Sequence, residues 1–109
     1  MVATGYFLDW RDDSGDSVAT GVSVVAIKGK AFEAAKVTLS PGTELGHHSH
    51  PEDQFFYILE GKLKYCVGGE ETVVGPGQCI FMPGDIGHGG SAVGDVPTVF
   101  IEIKELAGI

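Results

Sequence analysis

Apolar residues in this chain gather into short runs, each closed by glycine, proline, aspartate or serine, and the runs have the length of β-strands. The runs over 22–27 (VSVVAI), 54–59 (QFFYIL), 62–67 (KLKYCV), 70–74 (EETVV), 78–82 (QCIFM) and 98–104 (TVFIEIK) are predicted strands. The run 31–39 (AFEAAKVTL) has mild helical character in its alanines, but Val37, Thr38, Leu39 and the Pro41 that follows favour a strand there as well. Two-residue connections join 54–59 to 62–67 and 62–67 to 70–74, and both read as antiparallel hairpins. The stretch 89–97 reads as a loop. Short strands at this spacing, with almost no helix, indicate an all-β sandwich or a small closed barrel. The first 17 residues, with Tyr6, Phe7, Leu8 and Trp10 ahead of the polar run DDSGDS, supply either an extra edge strand or a segment that packs across a partner subunit.

Composition agrees with that picture. The 109 residues suit one domain, and 17 of them are glycine. Each glycine inside a helix would cost about 1 kcal/mol relative to alanine, so a helical bundle is a poor fit. Charge then narrows the partners. Fifteen acidic residues against seven basic ones give a net charge of −8, and Arg11 is the single arginine. Nucleic acid and anionic membrane surfaces are therefore poor partners. No run approaches the roughly 18 apolar residues of a membrane span, and the N-terminus lacks a basic region followed by an apolar run. The expected location is the cytoplasm. Cys66 and Cys79 each sit inside an apolar run and read as small buried hydrophobes rather than a disulfide.

Candidate chemistry lies in the histidines. His47, His48 and His50 fall together in GHHSHPEDQ, with Gln54 four residues past His50. A neutral imidazole offers a nitrogen lone pair at neutral pH, which makes histidine the commonest metal ligand among side chains. Side chains alternate along an extended chain, so His48, His50, Gln54, Phe56 and Ile58 share one side if the Pro51 turn keeps register, and His47 points the other way. His88 follows the segment PGDIG at the end of an apolar run and completes a set of four donors for a divalent ion.

These residues carry a family resemblance. The pattern Gly42, His48, His50, Gln54, Gly61 resembles the first cupin motif, and Gly77, Pro83, His88 resembles the second. The resemblance implies an all-β, double-stranded β-helix barrel of two antiparallel sheets, of jelly-roll type. It further implies a single domain over 1–109, with 1–20 as an N-terminal arm or edge strand and 21–109 as the barrel, and a homodimer. The implied cofactor is one divalent ion per chain (zinc, manganese, nickel or iron), held in the mouth by His48, His50, Gln54 and His88. The sequence departs from the family pattern at three points: Gln54 replaces the usual glutamate, Asp85 a usual glycine and Ala92 a usual asparagine. Gln54 is either a ligand or only a hydrogen-bond partner behind a three-histidine site. As a ligand it leaves the charge of the ion uncompensated, which strengthens polarisation of a carbonyl.

In the last run Phe100, Glu102 and Lys104 share one face, and the barrel resemblance turns that face to the cavity. Glu102 is then the candidate general base, with an exposed position on an edge strand as the alternative. Ala35, Val37, Phe56, Ile58, Phe81 and Phe100 are expected to line an apolar substrate pocket. The expected function is a metal-dependent enzyme of isomerase, cyclase or lyase type acting on a small carbonyl-containing or aromatic molecule. The alternatives are an Fe(II) dioxygenase and a non-catalytic ligand-binding or sensor protein.

Overall fold

Strand propensity and turn chemistry produce ten strands, which the computed structural model describes over residues 6–106. In chain order they are β1 (Asp16–Ala19), β2 (Val22–Lys28), β3 (Phe32–Leu39), β4 (Glu44–His48), β5 (Gln54–Glu60), β6 (Lys62–Val67), β7 (Glu70–Val74), β8 (Cys79–Met82), β9 (His88–Val93) and β10 (Thr98–Glu105). They form a six-stranded sheet in the order β1-β2-β3-β10-β5-β8 and a four-stranded sheet in the order β4-β9-β6-β7. All pairings are antiparallel, and the two sheets enclose one core in the manner of a jelly-roll barrel. Of the arm expected over 1–20, residues 1–5 lie outside the described residues, as do 107–109 of the expected barrel. Among the described residues no helix is long and apolar enough to cross a membrane.

Two expectations are corrected. The 54–59 and 62–67 runs do not form a hairpin, because β5 and β6 belong to different sheets. The chain crosses between the sheets at Gly61, whose φ is 75°, and a Cβ there would lie 2.5 Å from the Pro97 carbonyl oxygen. The 89–97 loop is also shorter than expected, since β9 occupies its first half. Its glycines are packing residues: a Cβ on Gly90 would sit 2.0 Å from the Lys64 carbonyl oxygen, and one on Gly89 would sit 2.7 Å from the His47 Cα. The β6–β7 hairpin forms as expected, with Val67 opposite Glu70 across Gly68-Gly69.

Alternation along the central strands builds the core. On β10, Phe100 pairs with Val37 on one side and Ile58 on the other, and Glu102 pairs with Ala35 and Phe56. Ala35, Val37, Phe56, Ile58 and Phe100 are all buried, so they are packed core and not the walls of an open pocket. The Phe56 and Phe100 ring centroids lie 4.3 Å apart. Phe81 does not join this core: it is 58% exposed, because β8 turns Ile80 and Met82 inward instead, and it lines clefts beside β8. The same alternation leaves Cys79 exposed rather than buried, and both cysteines are free. Residues 8–14 cross the outer face of the larger sheet, tied by the bond that Lys36 Nζ donates to the Trp10 carbonyl at 2.5 Å.

Candidate metal centre

The histidines meet because β4 and β9 are paired: His48 and His88 are register partners across the smaller sheet. His50 stands in the connection from β4 to β5 and is pinned from outside by the turn that follows β8. There the Asp85 amide donates to the His50 carbonyl at 2.7 Å, and the Gly84 amide donates to Asp53 Oδ1 at 2.8 Å. Asp85 adopts φ 69°, the left-handed conformation that suits the glycine usual at this place in the cupin pattern and that aspartate tolerates better than most residues. The ring nitrogens of His48, His50 and His88 that offer lone pairs lie within 4.8 Å of one another. His47 stays outside this group, with its ring against Gly87.

Each of the three rings is oriented by its own backbone. His48 Nδ1 meets the Gly46 carbonyl at 2.8 Å, His50 Nδ1 the Glu52 carbonyl at 2.9 Å, and His88 Nδ1 the Ile86 carbonyl at 3.1 Å. A carbonyl oxygen only accepts, so each Nδ1 carries the proton and each Nε2 is left as a lone pair. Gln54, buried at the start of β5, adds an oxygen. Its Nε2 donates to Glu102 Oε1, which turns Oε1 toward His50 Nε2 at 3.0 Å. Two acceptors at that distance call for a cation or a proton between them. Burial, assisted by the neighbouring histidines, holds the His88 pKa below its ordinary value and so disfavours protonation, while the bond to the Ile86 carbonyl opposes this only in part. His88 Nε2 is buried with no hydrogen-bond partner, an expensive state for a ring nitrogen unless a ligand uses its lone pair. The donor set therefore fits a divalent ion held by three imidazole nitrogens and one amide oxygen.

Glu102 lies on the inner face of β10, a central strand between β3 and β5, and the exposed edge position does not apply. Burial raises the pKa of its carboxyl, and the bond from Gln54 pulls in the opposite direction. His48 is exposed, so the centre opens to solvent at its end of the barrel. One residue of the site region escaped the sequence reading. Tyr65 is buried on β6, its ring 6.2 Å from that of His88 and edge-on to Phe56 at 5.4 Å. The alternation of Leu63, Tyr65 and Val67 in KLKYCV carried the signal for its inward direction.

Comparison with known proteins agrees with this fold. The family model described as Cupin domain matches residues 35–104. Tetracenomycin polyketide synthase protein TcmJ of Streptomyces glaucescens is 33% identical over 73 residues, which make up 65% of this chain and 49% of TcmJ. The chain thus spans about half the length of that relative. KdgF from Halomonas sp. superposes with a TM-score of 0.84 at 22% identity, covering 94% of each chain. An RmlC-like cupin from Shewanella frigidimarina gives 0.84 at 21%, covering 95% of this chain and 93% of that one. A sugar phosphate isomerase of the cupin superfamily from Silicibacter pomeroyi gives 0.71 at 26%, covering 81% and 61%.

Proposed function

The chain belongs to the cupin family, and from that premise we propose that it is a metal-dependent enzyme acting on a small carbonyl-containing or aromatic molecule by isomerase, cyclase or lyase chemistry. The observation that carries this reading is the neutral donor set: three imidazole nitrogens and the Gln54 oxygen converge, and the nearby carboxylate, Glu102, is engaged with the far side of the amide. A divalent ion bound there supplies Lewis acidity undiminished by an anionic ligand, suited to polarising a carbonyl oxygen. His48, His50 and His88 present unprotonated Nε2 atoms because their Nδ1 protons are committed to the backbone. Glu102, whose burial favours its protonated form, is the group on this chain placed to hold or release a proton beside the centre. TcmJ, whose name ties it to polyketide synthesis, supports a carbonyl-rich substrate. A homodimer and a cytoplasmic location complete the proposal.

The test is deuterium uptake at the α-carbon of acetophenone and related aryl ketones in D2O, followed by NMR with metal-loaded and metal-free protein. Exchange at least about tenfold faster with the loaded protein, without oxygen consumption, is the expected result. Oxygen uptake with an oxidised product would replace this reading with the dioxygenase. Saturable binding with no exchange for any ketone would replace it with the binding protein.

A further inference from the structure

Between the edge strands β7 and β8 the two sheets part, leaving a cleft of about 410 Å³. Its inner walls are Tyr65 and Val67 of β6, Val74 of β7 and Ile80 of β8, while Glu70 and Thr72 stand at its rim. It lies at the histidine end of the barrel, since Val67 is the register partner of His88. Tyr65 is only 4% exposed, with its ring against Phe56 and His88; its hydroxyl makes no hydrogen bond among the described residues, and since the buried side-chain polar atom left without a partner is His88 Nε2, the hydroxyl itself reaches solvent. A phenol hydroxyl so placed can donate to a bound ligand. Of the residues expected to form a pocket, Ala35, Val37, Phe56, Ile58 and Phe100 are closed core, whereas Phe81 lines this cleft, which is larger than the concavity of about 290 Å³ that Gln54 and Phe81 line.

We propose that the β7–β8 cleft is the substrate-binding site, and that it takes a neutral, mainly apolar ring compound whose leading oxygen accepts a hydrogen bond from the Tyr65 hydroxyl. The proposal deepens the enzymatic reading and rests on it for what happens after binding. Val67, Val74 and Ile80 offer apolar walls, and Glu70 at the rim of a chain of net charge −8 disfavours anions such as sugar phosphates or dicarboxylates. The Tyr65 ring lies 6.2 Å from that of His88, so the cleft and the candidate centre share a wall.

The experiment is an NMR titration of the metal-free protein with acetophenone, read from backbone amide and methyl shifts. Saturable shifts at Val67, Thr72, Val74 and Ile80 are expected. Tyr65→Phe should weaken binding by about three- to tenfold, the effect of one hydrogen bond, and Thr72→Phe, at the exposed rim, should block it with the fold intact. His48→Ala should leave these shifts unchanged while removing the metal, so a failure of the metal reading and a failure of the cleft are told apart. Shifts confined to the Trp10–Lys36 surface, equal affinity for Tyr65→Phe, or no saturable shift up to the solubility of acetophenone would each overturn the proposal.

Discussion

Gln54 and Glu102 are joined side chain to side chain across β5 and β10, and this bond decides which end of the amide faces the histidines. With Nε2 held by the carboxylate, Oε1 is left 3.0 Å from His50 Nε2. Glu102 thus acts on the candidate centre through Gln54. Replacing Glu102 by glutamine lets the amide turn either way, and metal affinity, measured by competition with a chelator, should fall about tenfold or more with little change in melting temperature. Gln54→Ala should weaken the metal at least as much. Unchanged affinity in both variants would remove Gln54 from the ligand set.

Phe100 distinguishes a packed core from a pocket. It is 1% exposed and in ring contact with Phe56. Phe100→Ala is expected to cost about 3–5 kcal/mol in denaturant unfolding, whereas a residue lining an open cavity would lose much less.

Tyr65 gives the fold a pH dependence on the alkaline side. Its folded pKa is raised from 10.0, chiefly by burial, so between the two values the unfolded chain gives up its proton more readily. The stabilisation is complete below pH 10 and is lost as pH rises past it. Thermal unfolding at successive pH values should show this decline, and Tyr65→Phe should flatten it.

Gly90 is held by sterics rather than by turn chemistry. A Cβ there would fall 2.0 Å from the backbone oxygen of Lys64, an atom that cannot move without breaking the β6–β9 ladder. Gly90→Ala should cost more than about 3 kcal/mol, and Gly42→Ala, where a Cβ meets nothing within 4 Å, should cost much less despite its φ of 81°.

The elements legible in the sequence were those whose side chains alternate. VSVVAI, QFFYIL, KLKYCV and TVFIEIK declare themselves as strands because both period and residue type agree. β4 and β9 do not, since ELGHH and HGGSAV spend their positions on metal-ligand candidates and on glycines that let backbones approach. The Glu60-Gly61 connection has hairpin length, and only the three-dimensional arrangement of Pro97 and Thr98 above Gly61 sends the chain to the other sheet. At the site, His48, His50, Gln54 and His88 were readable from spacing, whereas the inward direction of Glu102 came from the barrel resemblance and not from the alternation it shares with Phe100. Phe81 was assigned inward although QCIFM admits either phase, and the structure chooses the one that buries Ile80 and Met82. Tyr65 lies outside both motifs, and its place beside His88 depends on the β6–β9 pairing, a contact between distant parts of the chain.

The central claim is a neutral four-donor centre, and its most direct measurement is a crystal structure of the metal-loaded protein with anomalous scattering recorded at the absorption edge of the metal. The expected result is one divalent ion per chain bound by Nε2 of His48, His50 and His88 and by Oε1 of Gln54. An absence of stoichiometric metal after loading, or an ion held elsewhere or by Glu102 in place of Gln54, would contradict it.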